Sequence, residues 1–152
     1  LVTAGKASVD FVAAYKKTGL HATYYMLSVT SNVQLRQMLG GAAVGVVVTQ
    51  VVPAPWNHSV PVSREFTALA QAKGKAPAEF TYSQMDGYLS ARFLAESLKA
   101  APSLTREGLV QAMENAARLD LGGYMVQLSP QQHSSGRLVD MVMVGRDGRY
   151  VR

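Results

Sequence analysis

Two adjacent glycines, Gly40 and Gly41, stand in the segment GGAAVG, whose composition suggests a phosphate-binding loop. The backbone amides of such a loop bind phosphate when the loop follows a strand and opens a helix. Here the order is reversed, because the apolar run from Gly45 to Val52 comes after the glycines and reads as a strand. The pair therefore predicts the end of a helix and a tight turn.

Histidine and acidic side chains are the next candidates for chemistry. His21, His58 and His133 have no partner at the spacing of metal ligands, and the chain has no cysteine. Its ten carboxylates are scattered, and only Asp86 stands out, since it lies at the start of a predicted helix. No nucleophile, base and oxyanion donor come together. The residues predict no catalytic site, no metal site and no cofactor, and they favour a binding role.

The bulk properties describe a chain that can bury a core of its own. It has 152 residues, of which 48% are hydrophobic, and a net charge of +5. The basic residues are scattered and form no stripe with interleaved aromatic residues, so nucleic acid is not an expected partner. No apolar stretch reaches the ~18 residues that a membrane-spanning helix needs.

The first third of the sequence predicts an α/β fold. Strands are expected over residues 1–4, 23–27 and 45–52, with helices over 7–18 and 32–39 between them. Ser31 and Gln34 form a capping-box pattern at the start of the second helix. This alternation predicts parallel neighbouring strands, and the continuous valines predict a strand covered on both faces. The fold class is therefore α/β, with an open, mostly parallel sheet and flanking helices.

The character of the sequence changes after Pro53. Residues 53–60, PAPWNHSV, have the composition of a linker. Helices are predicted over 61–73, over 83–100 and after Thr105, and Gly87, Ala91 and Ala95 form a small-residue face that invites close approach. Strands are predicted over residues 124–128, 138–144 and 149–152, with a hairpin turn at 145–148.

The segments GKASVDFVAAYKKTGL, GGAAVGVVVTQVVPAP and GYLSARFLAESLK come in a characteristic order. In that order the chain resembles the C-terminal part of a type I periplasmic binding protein of the leucine/isoleucine/valine-binding branch. The resemblance implies a two-lobed fold of about twice this length. It assigns residues 1–52 to the second lobe and 53–60 to a hinge crossing. It assigns residues 61–118 to a helical segment that returns to the other lobe. It assigns residues 119–152 to a β tail that returns through the hinge.

The resemblance also implies a function, namely an extracytoplasmic, periplasmic receptor that delivers a small solute to the membrane permease of an ABC importer. A ligand-sensing regulatory domain of the same fold is the alternative. In such proteins the solute lies between the lobes, at the carboxyl ends of the strands. The missing N-terminal lobe segment or a second copy of the chain is a further expected partner.

Carried over to this chain, the resemblance predicts solute contacts after the first two strands and at the start of the long helix. The expected ligand-binding residues are Ala4, Gly5, Ser28, Val29, Thr30, Tyr82, Gln84 and Asp86. Amino-acid-binding members tend to carry a carboxylate in the loop at 28–30, whereas this chain has hydroxyl groups there. The solute is therefore expected to be a small amino acid paired with Asp86, or a small aromatic or amide-type carboxylate.

Overall fold

The structure is a computed structural model that describes residues 1–3, 5–77, 80–116 and 118–151. The chain divides into two compact units. The first comprises Leu1–Val51 and Leu138–Arg152, and the second comprises Val52–Arg137. The first boundary lies at the start of the predicted linker, and the role of residues 53–60 as a hinge stays a prediction.

Helices and strands alternate in the first 50 residues and separate into groups afterwards. In chain order they are α1 (Lys6–Lys17), β1 (Tyr25–Met26), α2 (Asn32–Leu39), a short 3-10 helix (Gly40–Ala43), β2 (Val47–Gln50), α3 (Pro61–Ala72), α4 (Tyr82–Ala100), α5 (Arg106–Asn115), β3 (Leu119–Asp120), β4 (Met125–Val126), β5 (Asp140–Val144) and β6 (Tyr150–Val151).

The first unit is built on a four-stranded sheet with the order β1-β2-β5-β6. β1 and β2 are parallel neighbours, as predicted, with Tyr25 opposite Val47. β5 pairs antiparallel with both β2 and β6. The α/β class is thus confirmed, but the described sheet is mixed rather than mostly parallel. Two of its three pairings are antiparallel, because β5 and β6 form a hairpin, whose strands must run in opposite directions, and β5 also runs opposite to β2.

The predicted first strand, residues 1–4, is wrong in its described part. Residues 1–3 form no strand, and Ala4 lies outside the described residues. The amino group of Leu1 donates a hydrogen bond to the carbonyl oxygen of Tyr25 (2.6 Å). A longer ladder does not form because α1 already begins at Lys6 and the neighbouring β1 has only two residues.

The sheet has one buried face and one exposed face. Met26, Val48 and Val142 are buried, whereas Tyr25 and Met141 on the other side are more than half exposed. The prediction that the valine strand is covered on both faces is therefore wrong for this chain. Each side of β2 carries one polar residue, Thr49 on the exposed side and Gln50 on the buried side, so the polarity of the sequence does not distinguish the two faces.

The turns and caps of the first unit follow the sequence. Ser31 and Gln34 form the predicted capping box at the start of α2. The helix ends at Gly40, whose φ of 53° is a conformation that glycine adopts without strain. The glycine pair is thus a helix stop and turn, as predicted. The β5–β6 turn is closed by a hydrogen bond from the amide of Gly148 to the carbonyl of Gly145 (2.9 Å).

The second unit is mainly helical. The three predicted helices are confirmed as α3, α4 and α5, and the Thr105 hydroxyl accepts a hydrogen bond from Gly108 at the start of α5. The strand predicted at residues 124–128 is shorter in the structure, where it is β4 and pairs antiparallel with β3. The aromatic rings of Phe66 and Phe80 meet edge to face at 5.4 Å within this unit.

Among the described residues, no element packs closely against the small-residue face of α4, so the close approach expected there stays a prediction. Gly87, Ala91 and Ala95 are exposed, and a Cβ added to Gly87 would meet nothing within 4 Å. The helix instead buries Met85 and Leu89, which lie on another face. Gly87 is therefore a helix-interior glycine without a packing role among the described residues.

Two glycine substitutions in the second unit are expected to change stability in opposite directions. Gly87→Ala should raise the free energy of unfolding by about 0.5–1 kcal/mol, because alanine loses less backbone entropy in a helix. Gly108→Ala should lower it by about 1–3 kcal/mol, since the new Cβ would overlap the carbonyl oxygen of Ser103. Urea unfolding of both variants measures the difference, and a shift of the same sign in both would contradict the packing described.

Candidate functional site

The loop that follows β1 contains three of the predicted site residues. Ser28 is half-buried, Val29 is 61% exposed and Thr30 is 1% exposed. The amide of Thr30 donates to the carbonyl of Leu27 (3.3 Å), and its own carbonyl accepts from the hydroxyl of Tyr150 (3.4 Å). The backbone at Thr30 is thus held from both sides.

The hydroxyl group of Thr30 is buried, and no described group bonds to it. A buried polar group without a hydrogen bond costs about 1–3 kcal/mol, so such groups in proteins call for an explanation. One explanation is a ligand or a water molecule that supplies the missing bond. Thr30 is therefore the residue of this loop whose buried hydroxyl lacks a described hydrogen-bond partner, and its role in binding stays a prediction.

The same loop leads into the N-terminus of α2. The Ser31 hydroxyl accepts from the amide of Gln34 (3.2 Å), and the Gln34 side chain accepts from the amide of Ser31 (3.2 Å). The first turn of α2 carries no acidic residue. A helix N-terminus carries partial positive charge, so this end of the unit favours a negative or neutral polar group.

Gln50, the last residue of β2, also belongs to this polar region, although the sequence did not predict it as a site residue. Its side chain is 2% exposed, and its Oε1 atom has no described partner. The hydroxyl of Thr49 donates to the carbonyl of Met26 (3.4 Å), which links the carboxyl ends of β1 and β2. In the sequence Thr49 and Gln50 are the two polar residues inside an apolar run, and they were the available signal. We refer to Ser28, Thr30 and Gln50 as the strand-end cluster.

The start of α1 belongs to the same unit. Gly5 has a φ of 59° and caps the helix without a side-chain bond. The hydroxyl of Ser8 donates to the carbonyl of Thr3 (2.8 Å) and fixes the entry to the helix. Ala4, predicted as a site residue, lies outside the described residues, and the role of Gly5 in binding stays a prediction.

The other predicted site residues occupy the first turns of α4 in the second unit. Tyr82 is buried, and its ring meets that of Trp56 edge to face at 5.3 Å. Gln84 forms a capping box with Thr81, in which its Oε1 accepts from the Thr81 amide at 2.9 Å. Asp86 is exposed. Gln84 therefore has a structural task at the helix start, whereas Trp56 and Tyr82 form an edge-to-face aromatic pair of which only Trp56 is exposed.

Charged groups in the second unit tie its elements together. Arg92 of α4 pairs with Glu65 of α3 and also donates to the carbonyl of Leu121 (3.3 Å).

Burial raises the pKa of the Tyr88 hydroxyl above its ordinary value, and its hydrogen bond with Glu65 adds to the rise. Burial likewise raises the pKa of Tyr124, with a smaller contribution from the negative charge of Asp86.

His133 pairs with Glu114, because the Nε2 atom of His133 lies 2.7 Å from the Oε1 atom of Glu114. Within the part of the chain that the structure describes, no three His, Asp or Glu side chains cluster as metal ligands. Over the same residues, no helix combines the length and apolar character needed to cross a bilayer.

The sequence matches the family described as periplasmic binding protein over residues 1–149. The chain belongs to that family. This confirms the resemblance found in the sequence. No curated protein sequence matches the chain.

Solved structures of periplasmic binding proteins and related receptors have the same fold. An extracellular ligand-binding receptor from Verminephrobacter eiseniae is 30% identical, with a TM-score of 0.83 over 99% of this chain and 43% of its own. A possible leucine/isoleucine/valine-binding protein from Rhodopirellula baltica is 22% identical, with a TM-score of 0.84 over 99% of this chain and 41% of its own.

A branched chain amino acid ABC transporter protein from Thermus thermophilus, solved with bound valine, is 14% identical. Its TM-score is 0.67, over 98% of this chain and 42% of its own. This periplasmic binding protein chain thus spans less than half of the length of these structures.

Proposed function

We propose that this chain is part of the extracytoplasmic solute-binding component of an ABC importer and has no enzymatic activity. The family match over residues 1–149 supports solute binding. The names of several similar structures, among them an ABC transporter substrate-binding protein from Aeropyrum pernix, support the importer assignment. The partners under this proposal are a small solute and a membrane permease, and the location is periplasmic.

The observation that carries the proposal is the strand-end cluster. Thr30 and Gln50 bury polar atoms without described partners, where the carboxyl ends of parallel strands β1 and β2 meet. Open α/β sheets bind their ligands at this end of the strands. A solute that bonds to both groups would remove the cost of leaving them unpaired.

The chemistry of the cluster restricts the solute class. A threonine hydroxyl donates and accepts, and a glutamine amide offers both functions as well. None of the three side chains of the cluster is a carboxylate, although Asp140 lies opposite Gln50 in the pairing of β2 with β5. The N-terminus of α2, beside the loop at 28–30, favours negative charge. These groups suit a carboxylate or an amide, so we propose a small aromatic or amide-type carboxylate, or a small amino acid bound through its carboxylate.

The residues of the second unit enter the proposal in separate roles. Trp56 is 40% exposed beside the buried ring of Tyr82, and this pair offers an apolar surface for an aromatic solute. Asp86 is exposed at the same helix start and would pair with an ammonium group.

A thermal-shift screen tests the proposal with amino acids, aromatic acids and amides as separate sets. A solute that binds only the folded state stabilises it by about 2.7 kcal/mol at a concentration of 100 Kd, so a true ligand should raise Tm by several degrees. Simple inorganic anions at equal ionic strength are the control for unspecific salt effects. The absence of a shift with every set, or equal shifts with the inorganic anions, would count against the proposal.

A further inference from the structure

A polar cavity lies within residues 127–137 of the second unit, and none of the residues proposed above to bind the solute lines it. Its volume is about 180 Å³. This is room for several water molecules, each of which takes about 30 Å³ in the liquid, or for one small anion. We refer to it as the loop cavity. Its polar side chains are those of Gln127, Ser129, Gln132, Ser134, Ser135 and Arg137.

Hydrogen bonds within the loop hold the cavity open in the absence of a ligand. Ser129 and Gln132 exchange two backbone hydrogen bonds, each of 3.0 Å. The amide of Gln127 donates to the hydroxyl oxygen of Ser135 (2.6 Å), and the side-chain amide of Gln132 donates to the carbonyl of Ser134 (2.9 Å). Because the loop is already shaped, a ligand that enters it has little chain ordering to offset.

The groups of the loop cavity that are left without a partner can all donate hydrogen bonds. Among the described residues, none forms an ion pair or a hydrogen bond with the guanidinium of Arg137 or with the hydroxyls of Ser129 and Ser134. A guanidinium has five donors and no acceptor. No acidic side chain lines the cavity, and Glu114, which contacts the loop, is paired with His133.

We propose that the loop cavity binds a small oxyanion of the phosphate type. The planar guanidinium of Arg137 would bond two of its oxygens, which is the geometry in which arginine binds phosphate and carboxylate groups. The hydroxyls of Ser129 and Ser134 line the same cavity and would donate to the remaining oxygens. A carboxylate has only two oxygens to share among these three side chains, so it should bind more weakly than phosphate.

Nuclear magnetic resonance of the ¹⁵N-labelled chain tests this inference independently of any solute at the strand-end cluster. The chain is titrated with sodium phosphate, with sodium acetate and with sodium chloride at equal ionic strength. We expect phosphate to cause saturable shifts of amide signals within residues 127–137. Acetate should saturate the same signals at a higher concentration, and chloride should cause no saturable change.

Three variants show whether Arg137 holds the anion. Arg137→Gln removes the charge and should raise the dissociation constant for phosphate at least tenfold. Arg137→Lys keeps the charge but loses the two-oxygen geometry, so its dissociation constant should lie between those of the wild type and Arg137→Gln. Arg106→Gln is the matched control, because Arg106 is an exposed arginine at the start of α5 in the same unit. It should bind phosphate as the wild type does.

Three results would overturn the inference. The first is the absence of saturable shifts with phosphate, or equal shifts with chloride. The second is an Arg137→Gln variant that binds phosphate as tightly as the wild type. The third is a set of saturable shifts centred on residues 28–30 instead of 127–137, which would place the oxyanion at the strand-end cluster.

Discussion

Replacing Leu35 with alanine is expected to lower the free energy of unfolding by about 2–5 kcal/mol, which would be a large part of the stability of a small domain. Leu35 lies in α2 and has no exposed surface. Its truncation removes apolar contacts and leaves a cavity that neighbouring core side chains fill only in part. Urea unfolding followed by circular dichroism measures the loss.

Val33 provides the control for this substitution, because it lies two residues earlier on the same helix and is 46% exposed. Val33→Ala should change the free energy of unfolding by less than about 1 kcal/mol. Equal losses in the two variants would show that α2 does not bury the side that the structure assigns to the core.

The second large effect is expected at the strand-end cluster. Combining Ser28→Ala with Thr30→Ala removes two hydroxyl groups, one of which is buried without a described partner. If these groups bind the solute, the affinity should fall by about 1–3 kcal/mol, or roughly 5- to 150-fold. Calorimetry with the solute from the thermal-shift screen gives the two dissociation constants.

Thr18→Ala is the matched control for the double variant. Thr18 is exposed at the end of α1, where its hydroxyl bonds to the carbonyl of Tyr15 (2.7 Å). This variant loses a hydroxyl of the same kind and should bind with unchanged affinity. A double variant that binds as tightly as the wild type would remove Ser28 and Thr30 from the site.

Features that depend on neighbouring residues could be predicted from the sequence. The helix over residues 32–39 has the predicted bounds, because the Ser31–Gln34 capping box and Gly40 fix its two ends locally. The hairpin turn at residues 145–148 is likewise encoded locally, by Gly148, whose φ is 76°. Such caps and turns need no information from distant parts of the chain.

Features that depend on distant pairing could not be predicted in this way. The antiparallel pairing of β5 with β2 joins residues about 90 positions apart, and it makes the sheet mixed. The pairing of Val47 with Met143 places both side chains on the same face of the sheet, and Met143 is 43% exposed there. The strand predicted at residues 1–4 is wrong in its described part, because the apolar residues of this segment do not show that the neighbouring strand β1 has only two residues.

The candidate site was predicted in part. The resemblance pointed to residues 28–30, and the structure shows that the Thr30 hydroxyl is buried without a described partner. Gln50 was missed, since its importance depends on burial beside another strand rather than on any motif. The Arg92–Glu65 pair joins two helices across 27 positions, so no local pattern could indicate it.

Isothermal titration calorimetry of this protein with aromatic carboxylates, amides and amino acids tests the central claim of solute binding most directly. We expect saturable one-to-one binding of a member of these classes, with the solute recovered chemically unchanged. Titrations that give no saturable heat with any of the three classes, or conversion of the solute to a product, would contradict the proposal of solute binding.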